Sequence, residues 1–312
     1  MKRFYLVCAV TIPLLLPLQP VVAGFSASSK GTTAVPFLKM GAGARALAMG
    51  EAFSSVADDA TALYWNPASL SQVRRPSISF MHAAVFDSSA YEYGAVAGPL
   101  PHGSAYGVGL QRFSSGKIVR RDAAGFEDGS FNPNDVAVMA GVAQPWNGYS
   151  LGASVKWIRS QIVNTAQTAA VDLGVLSPLY GGRMKCAFVV TNLGGKLTYD
   201  ETAEKLPSAV TLGGSIQWTR HWLTALDLKS SIDNRPTAAI GTEYTLSLFR
   251  SSHLAFRAGY NSRTLNQVDG MTGVSLGMGF TWESVSLDYG FLPFGDLGFS
   301  NLFSVSAKFG HD

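Results

Sequence analysis

The stretch YSLGASVKW, from Tyr149 to Trp157, alternates strictly between two kinds of side chain. Its odd-numbered positions are apolar with an aromatic residue at each end, and its even-numbered positions are serine, glycine and lysine. Strict alternation is the pattern of a β-strand with one apolar and one polar face. Aromatic residues at both ends of the apolar face are typical of strands that cross a membrane, because they collect at the two interfaces. The stretch therefore predicts a membrane-spanning strand.

The same alternation recurs along the chain from Pro76 onward. It is clear from Thr272 to Trp282 and again from Phe303 to Phe309. The runs are close in length to the ~9–11 residues that a tilted strand needs to cross a membrane. Fourteen runs are predicted as strands, over residues 76–86, 91–98, 103–113, 136–145, 149–160, 168–176, 184–192, 208–218, 222–230, 237–246, 253–260, 272–281, 284–290 and 302–309.

The composition favours a membrane barrel over a soluble domain. Charged residues make up 14% of the chain, against ~25% in ordinary soluble domains. After the amino-terminal region, no segment is apolar and long enough to cross a membrane as a helix. A β-barrel remains possible, because its lipid face is apolar while its interior is polar. A secreted β-sandwich is the alternative fold. The formal net charge of +3 gives no basic surface for nucleic acid.

The amino terminus predicts a cleaved secretory signal peptide, residues 1–23. Lys2 and Arg3 precede an apolar run, and a small-residue motif ends at Ala23. Two prolines interrupt the apolar run, which argues against a membrane anchor. The mature chain is therefore expected to leave the cytoplasm.

One cysteine, Cys186, remains after cleavage of this leader. A single cysteine forms no internal disulfide and is a poor basis for a metal site. Because Cys186 alternates with Lys185 along its strand, it is expected to face lipid.

The predicted connections fall into a short and a long group. The short ones are GPLPH, PWNG, TRH and a turn near Glu283; the long ones are Ser114–Asp135, Leu193–Pro207, Asn261–Met271 and Phe291–Asn301. The long connections all fall at one end of the predicted sheet. Outer-membrane barrels have short periplasmic turns and longer extracellular loops, whereas a sandwich has no reason to sort its loops. Residues 76–312 are therefore predicted as an antiparallel, up-and-down transmembrane β-barrel of about 14 strands.

The polar faces of the strands carry a small set of charges of both signs. A charge facing lipid would cost ~2–4 kcal/mol at the membrane midplane, so these side chains are expected to point into the lumen. A salt-bridge network that holds the barrel or its contents is favoured over a selective ion path. The predicted lumen charges are Lys156, Asp172, Lys185, Asp227, Lys229, Glu243, Arg257, Asp288 and Lys308.

Short motifs that resemble catalytic signatures lack the structural context those signatures need. GAGARA at 41–46 resembles a dinucleotide loop, but no buried strand precedes it. GVSLG at 273–277 resembles a nucleophile elbow but lies inside an alternating strand. The five histidines are scattered, and the adjacent Asp58 and Asp59 suit a helix start better than acid–base chemistry. No catalytic residue, metal site or cofactor is predicted, and the protein is expected not to be an enzyme.

The stretch GARALAMGEAFSSVADDATALYWNPASL, residues 43–70, resembles the amino-terminal signature of FadL-like outer-membrane proteins, and within them the PorV/PorQ branch. The last part of the chain, LDYGFLPFGDLGFSNLFSVSAKFG, is similar to the closing hairpin of that branch. The positions that carry the amino-terminal resemblance are Gly43, Ala44, Arg45, Met49, Gly50, Asp58, Asp59, Asn66, Pro67 and Ala68.

This resemblance implies that residues 24–75 form a hatch, a partly helical plug in the lumen. The physical argument agrees, because ~8 strands already enclose a packed interior and fourteen strands leave a larger space to fill. Short helices satisfy their own backbone inside a barrel. Arg45, Asp58 and Asp59 are expected to meet wall charges of opposite sign.

The resemblance implies a bacterial outer-membrane protein, surrounded by outer-membrane lipid, with two open functions and, as a third alternative, a purely structural, porin-like role. In the first, the protein acts in type IX-like protein secretion and meets secreted cargo or secretion-machinery proteins through its extracellular loops. In the second, it transports long-chain fatty acids or other hydrophobic solutes, as FadL does. Gly103, Gly107 and Gly109 on the third strand would then allow the inward kink that a lateral opening needs.

Overall fold

The computed structural model describes residues 31–85, 89–199, 201–249, 251–264 and 272–310. The predicted signal peptide, residues 1–23, lies outside these described residues. Fourteen antiparallel strands close into one barrel, in which the first strand pairs with the last. The predicted fold and strand number are confirmed. Among the described residues, no helix is long and apolar enough to cross a membrane.

Strands are numbered β1 to β18 in chain order. The barrel strands are β1 (Ser77–Ala84), β2 (Ala90–Pro99), β3 (Ala105–Ser114), β6 (Asn134–Trp146), β7 (Tyr149–Gln161), β8 (Thr165–Leu179), β9 (Met184–Gly194), β12 (Ala209–Gln217), β13 (Trp222–Ser231), β14 (Thr237–Phe249), β15 (Ser252–Asn261), β16 (Val274–Trp282), β17 (Val285–Pro293) and β18 (Phe299–Lys308). Each predicted run overlaps one of these strands.

Two hairpins lie outside the barrel wall and were not predicted from the sequence. They pair β4 (Ile118–Arg121) with β5 (Glu127–Phe131), and β10 (Lys196–Thr198) with β11 (Ala203–Lys205). Their strands have three to five residues, which is too short for an alternating pattern to stand out. Both hairpins lie within the connections predicted to be long.

The two ends of the barrel differ. Short turns such as 146–149 and 282–285 lie at the end where β1 begins and β18 finishes, and we call this the turn end. The opposite end carries both hairpins and is called the loop end. Since outer-membrane barrels place short turns in the periplasm, we assign the turn end to the periplasmic side and the loop end to the outside.

Strand β7 shows how alternating side chains point to the two faces of the barrel wall. Ser154 and Lys156 are 2% and 3% exposed, whereas Val155 between them is 59% exposed and faces outward. Cys186 on β9 is also exposed, as predicted. Apolar side chains therefore cover the outside of the barrel, and polar ones line its lumen.

The segment before β1 is partly helical. It contains α1 (Ala44–Ala48), α2 (Ala62–Trp65) and two 3₁₀ turns, Pro36–Lys39 and Pro67–Gln72. The segment lies inside the barrel, where most of its side chains are buried against the inner wall. Its helices are short because bends interrupt them, including Gly50 with a φ of 66°.

The wall is continuous at β3 and irregular at β8–β9. Strand β3 pairs in unbroken register with β2 and β6, so the pairing is not interrupted at Gly107 or Gly109. Gly103 lies in the turn before β3 and not on the strand. The register shifts instead between Val171 and Leu173 of β8. There the Asn192 amide donates to the Asp172 carboxylate over 2.7 Å, and Asn192 has a φ of 56°.

Candidate functional site: the lumen

The segment from 41 to 72, here called the hatch body, packs backbone to backbone on the barrel wall. At lumen-facing glycines, the hatch occupies the space that a side chain would need. A Cβ atom at Gly152 would lie 2.1 Å from the Ala68 nitrogen, and one at Gly259 would lie 2.1 Å from the Gly50 nitrogen. Small residues on the hatch and glycines on the wall are therefore complementary.

The Asn-Pro-Ala sequence turns the chain at the hatch's closest approach to β7 and β8. The Asn66 Oδ1 atom accepts the Ala68 amide over 3.0 Å, and its Nδ2 atom donates to the Ser54 carbonyl over 3.0 Å. Pro67 opens the following 3₁₀ turn. A Cβ atom at Gly174 would lie 2.1 Å from the Asn66 Oδ1 atom, so only glycine fits there.

The start of the hatch body is held by polar contacts with the wall. The Gly43 amide lies 3.1 Å from the Met81 sulfur, and the Ala44 amide donates to the Ser304 hydroxyl over 3.1 Å. Helix α1 begins at this point and packs on β15 to β18. These two hydrogen bonds satisfy amides that a helix start leaves without intrahelical partners.

Arg45 joins the hatch to a chain of charges on the wall. It donates to both carboxylate oxygens of Glu243 over 2.8 Å and to Asp58 over 2.7 Å. Glu243 also accepts from Arg257 over 2.6 Å, and Arg257 continues to Asp288 over 2.7 Å. Each buried charge in this network has a partner of opposite sign, which buried charges require.

The two adjacent hatch carboxylates have different environments. Burial raises the pKa of Asp58, but the charges of Arg45 and Lys308 outweigh burial and hold that pKa well below its usual range. Burial and the charge of Asp58 raise the pKa of Asp59. Asp59 accepts the amide and hydroxyl of Thr61 just before α2. Asp59 therefore closes a turn two residues before Thr61, the N-cap of α2, and Asp58 binds Arg45, so neither carboxylate caps the helix.

Other predicted lumen charges also contact the hatch or each other. The Asp227 carboxylate accepts the amides of Phe53 and Ser54 over 3.2 and 3.0 Å. The Lys185 ammonium donates to Gln72. Lys156 and Asp172 form a buried ion pair of 2.7 Å on the wall itself.

Two predicted lysines make no side-chain hydrogen bond or ion pair within the described chain, although their charges act on carboxylates farther away, Lys308 on Asp58 and Lys229 on Asp227 and Glu51. Lys308 lies on the same side of β18 as the buried Ser304 but forms no ion pair within the described chain. Lys229 is partly buried, and its ammonium group likewise makes neither a hydrogen bond nor an ion pair to any described residue. Its backbone carbonyl accepts from the Thr237 hydroxyl over 3.5 Å.

Before the hatch body, residues 33–40 form an arm at the loop end. Its Ala34 amide donates to the Lys205 carbonyl over 3.0 Å. The Asp233 carboxylate, in the β13–β14 connection, accepts from Thr33 over 2.7 Å and from Lys39 over 2.5 Å. Burial raises the pKa of Asp233, but hydrogen bonds from Lys39, Ser231 and Thr33 outweigh burial, and the net pKa lies below its usual value.

A cavity of about 380 Å³ lies between the arm, the hatch body and the wall. Leu47, Trp65 and Tyr91 contribute to an apolar side, and Lys229 projects from the opposite, polar side. The lining reaches Arg235 in the exposed β13–β14 connection, so the cavity adjoins the loop end. A volume of this size is within the range of small-molecule sites, ~300–1,000 Å³.

The sequence did not point to several residues that organise the lumen. Lys39 and Asp233 hold the arm, and Arg263 pairs with Glu51 over 2.7 Å beside the cavity. These residues lie in the hatch or in connections, where strand alternation carries no signal. The sequence does mark Asn192 as unusual, because Thr191 and Asn192 are consecutive polar residues that interrupt the alternation of β9. The interruption coincides with the observed shift in register between β8 and β9.

The described residues contain no group of three or more histidine, cysteine, aspartate or glutamate side chains that could hold a metal ion. The charged clusters of the lumen are built from paired cations and anions. Their geometry is that of structural contacts between the hatch and the wall.

Comparison with known proteins identifies one matching family model. That model, described as type IX secretion system protein PorV, matches residues 26–222, which is more than half of the chain. The match includes the hatch body and the wall as far as the start of β13. No curated protein matches the chain.

Solved structures with a similar fold include a monoaromatic hydrocarbon channel, a toluene transporter and a FadL homologue. The TodX deltaS2S3 mutant monoaromatic hydrocarbon channel has a TM-score of 0.61 and 14% identity, covering 86% of this chain and 99% of that one. The Ralstonia pickettii toluene transporter TbuX has a TM-score of 0.58 and 12% identity, covering 86% and 99%. A Pseudomonas aeruginosa FadL homologue has a TM-score of 0.57 and 11% identity, covering 92% and 99%. At such identities the likeness concerns the fold alone.

Proposed function

The chain belongs to the PorV family of type IX secretion system proteins, and on that premise we propose that it supports protein export as a non-enzymatic barrel. The protein is an outer-membrane β-barrel. Its lumen is closed by the hatch, and its extracellular loops contact secreted cargo or secretion-machinery proteins. The observation that carries this proposal is the family match over residues 26–222.

The β4–β5 hairpin is the part of the loop end best suited to contact a partner. All but one of the residues in its two strands are exposed, and Phe126 at its turn is 73% exposed. An isolated two-stranded hairpin is only marginally stable in water. Ile118 and Val119 add exposed apolar surface. A partner that covers this hairpin would bury apolar surface and stabilise its strands.

The test is purification of the protein from native membranes in mild detergent, followed by mass spectrometry of the bound proteins. We expect secreted or secretion-machinery proteins to co-purify with the parent. Replacing Phe126 by Ser should reduce their recovery, because it removes the most exposed apolar side chain of the hairpin. Phe249→Ser is the matched control, because Phe249 is 79% exposed at the opposite end of the barrel.

Equal recovery from the parent and Phe126→Ser would remove the hairpin as the contact surface. A parent that yields no protein partner but contains stoichiometric fatty acid would contradict the secretion role. That result would favour the second function.

The cavity favours a second candidate function, transport of long-chain fatty acids or other hydrophobic solutes. Its apolar side, with Trp65 and Tyr91, suits a hydrocarbon chain, and its polar side presents the Lys229 ammonium. A carboxylate that entered the cavity would give the Lys229 ammonium a hydrogen-bonded anion, which it lacks among the described residues. Charge-assisted hydrogen bonds of this type are among the stronger ones.

Binding of decanoate and decanol to the purified protein tests this second function. Lys229→Gln should weaken decanoate binding about tenfold, the order expected for one charge-assisted hydrogen bond, and should leave decanol binding unchanged. Absence of binding by both compounds would leave the cavity without a transport role.

A further inference from the structure

The turn end carries two arginines and three aromatic residues on neighbouring turns of the barrel wall. One turn joins β8 to β9, and the other joins β12 to β13; β9 and β12 pair directly. We call these five residues the rim cluster. They are Tyr180, Arg183, Trp218, Arg220 and Trp222.

Hydrogen bonds hold the two turns together. The Gln217 amide donates to the Arg183 carbonyl over 2.8 Å, and the Arg183 guanidinium donates to the Trp218 carbonyl over 3.2 Å. A guanidinium has five N–H donors, so most of those on Arg183 remain available. Arg220 is exposed and its side chain makes no hydrogen bond to any described residue.

Neither arginine of the rim cluster forms an ion pair within the described chain. The two turns contain no acidic residue, and the adjacent turns at 146–149 and 249–252 contain none either. The loop end differs, because Arg112 on the outside of β3 pairs with Glu92 over 3.2 Å. The rim cluster therefore presents uncompensated positive charge.

The aromatic side chains place this charge at the membrane interface. Trp218 and Trp222 lie with ring centroids 6.0 Å apart, and they donate their indole N–H groups to Thr224 and Thr242 on the outer wall. Tyr180 is 80% exposed. Tryptophan and tyrosine collect at the depth of lipid headgroups, so the arginines are expected at that depth too.

We propose that the rim cluster binds the phosphate group of an anionic phospholipid in the periplasmic leaflet. A guanidinium matches the geometry of phosphate oxygens and binds them through two parallel hydrogen bonds. The aromatic rings would pack beside the upper part of the acyl chains. A zwitterionic headgroup would bring a second, positive group toward two arginines, so lipids with a net negative headgroup are selected.

Native mass spectrometry of the detergent-purified, full-length protein tests this site. The protein is mixed with equal amounts of phosphatidylglycerol and phosphatidylcholine of identical acyl chains, and the retained lipids are counted. The parent should retain phosphatidylglycerol preferentially. Arg183→Gln with Arg220→Gln should lower that preference by about fivefold per arginine, the usual effect of a basic residue near an anionic membrane surface.

The matched control is Arg120→Gln with Arg121→Gln, which removes two positive charges from the exposed β4–β5 hairpin. This control variant should prefer phosphatidylglycerol over phosphatidylcholine as strongly as the parent does. Heat-dependent gel mobility checks that every variant is folded. Arg220→Gln alone provides a milder variant, because its side chain has no hydrogen bond or ion pair to a described residue to lose. It should show about half of the effect on a logarithmic scale.

Equal phosphatidylglycerol preference in the parent and the double variant would overturn the proposal. An equal loss in the hairpin control would also overturn it, because net charge would then explain the result. Displacement of the lipid by millimolar inorganic phosphate would show a site for free anions and not for a phospholipid.

Discussion

The hatch body and the cavity occupy the same lumen but are built differently. Where the hatch body meets the wall, backbone lies on backbone, and a Cβ atom at Gly152 or Gly259 would overlap the hatch. In the cavity, side chains face a space of about 380 Å³, and Lys229 has no ion pair to any described residue. The first region has the features of a structural seal. The second has those of a binding site, because it holds a partly buried ammonium group that no described carboxylate contacts directly.

The largest effect is expected from Gly152→Val. Its Cβ atom would lie 2.1 to 2.5 Å from backbone atoms of Pro67 and Ala68, which cannot move aside as a side chain could. The hatch body should therefore leave its position while the barrel still assembles. Single-channel recording should show a conductance far above that of the parent.

Gly94→Val is the control for this substitution. Gly94 faces outward on β2, and a Cβ atom there would meet only a Phe80 ring carbon, at an ordinary distance of 3.9 Å. This variant should conduct like the parent. If Gly152→Val also conducts like the parent, the close backbone contact is not what holds the hatch in place.

Glu243→Gln is expected to have the next largest effect. Glu243 is 7% exposed and lies between Arg45 of the hatch and Arg257 of the wall, so its loss leaves two buried cations without their shared partner. Removing one member of a buried charge pair typically costs ~3–5 kcal/mol. The urea dependence of heat-dependent gel mobility measures the stability.

Glu92→Gln is the control for the loss of an ion pair, because the Arg112–Glu92 pair is solvent-accessible. Such a pair contributes ~0–1 kcal/mol. Equal destabilisation by both substitutions would show that burial of the Arg45 network does not matter for stability.

The wall could be predicted from the sequence, but only part of the lumen could. Alternation identified all fourteen strands, because a strand between lipid and a polar interior must change environment at every residue. The same alternation placed Glu243 and Arg257 on the lumen side. It did not say which charges would meet, since pairing depends on strand register and on the path of the hatch.

The arm and the cavity could not be predicted from the sequence. Asp233 and Lys39 lie 194 positions apart in the chain, and neither belongs to a periodic pattern. The cavity exists because the arm and the hatch body leave a space between them, which no local motif encodes. The glycines of the wall were visible in the sequence, but their role as contact points for the hatch required the structure.

Lys229→Met tests whether the partly buried charge of Lys229 in the cavity lowers the stability of the protein. The substitution removes a partly buried charge that has no ion pair to any described residue and keeps a side chain of similar length. We expect the free energy of unfolding to rise by about 1 kcal/mol. Lys156→Met is the control, because it breaks the buried ion pair with Asp172 and should lower stability. A loss of stability in both variants would mean that Lys229 has a structural partner.

The smallest effect is expected for the pH dependence of hydrogen exchange in the arm. The pKa of Asp233 is lower in the folded protein than its ordinary value, ~3.9. Its stabilising contribution is therefore complete above the ordinary pKa and is lost as the pH falls through the folded-state pKa. The protection of residues 33–40 from hydrogen exchange, relative to an unfolded chain at the same pH, should be high at neutral pH and should fall below about pH 4. Asp233→Asn should give fast exchange already at neutral pH; slow exchange in that variant would contradict the role of Asp233.

Deletion of the hatch body, residues 41–72, followed by single-channel recording tests whether this segment closes the barrel. The strands pair with one another and face lipid without this segment, so the barrel should still assemble and show heat-dependent gel mobility. We predict a conductance much larger and steadier than that of the parent, because the hatch body fills the lumen. Equal conductance of the two proteins would contradict the central claim that this segment closes the barrel.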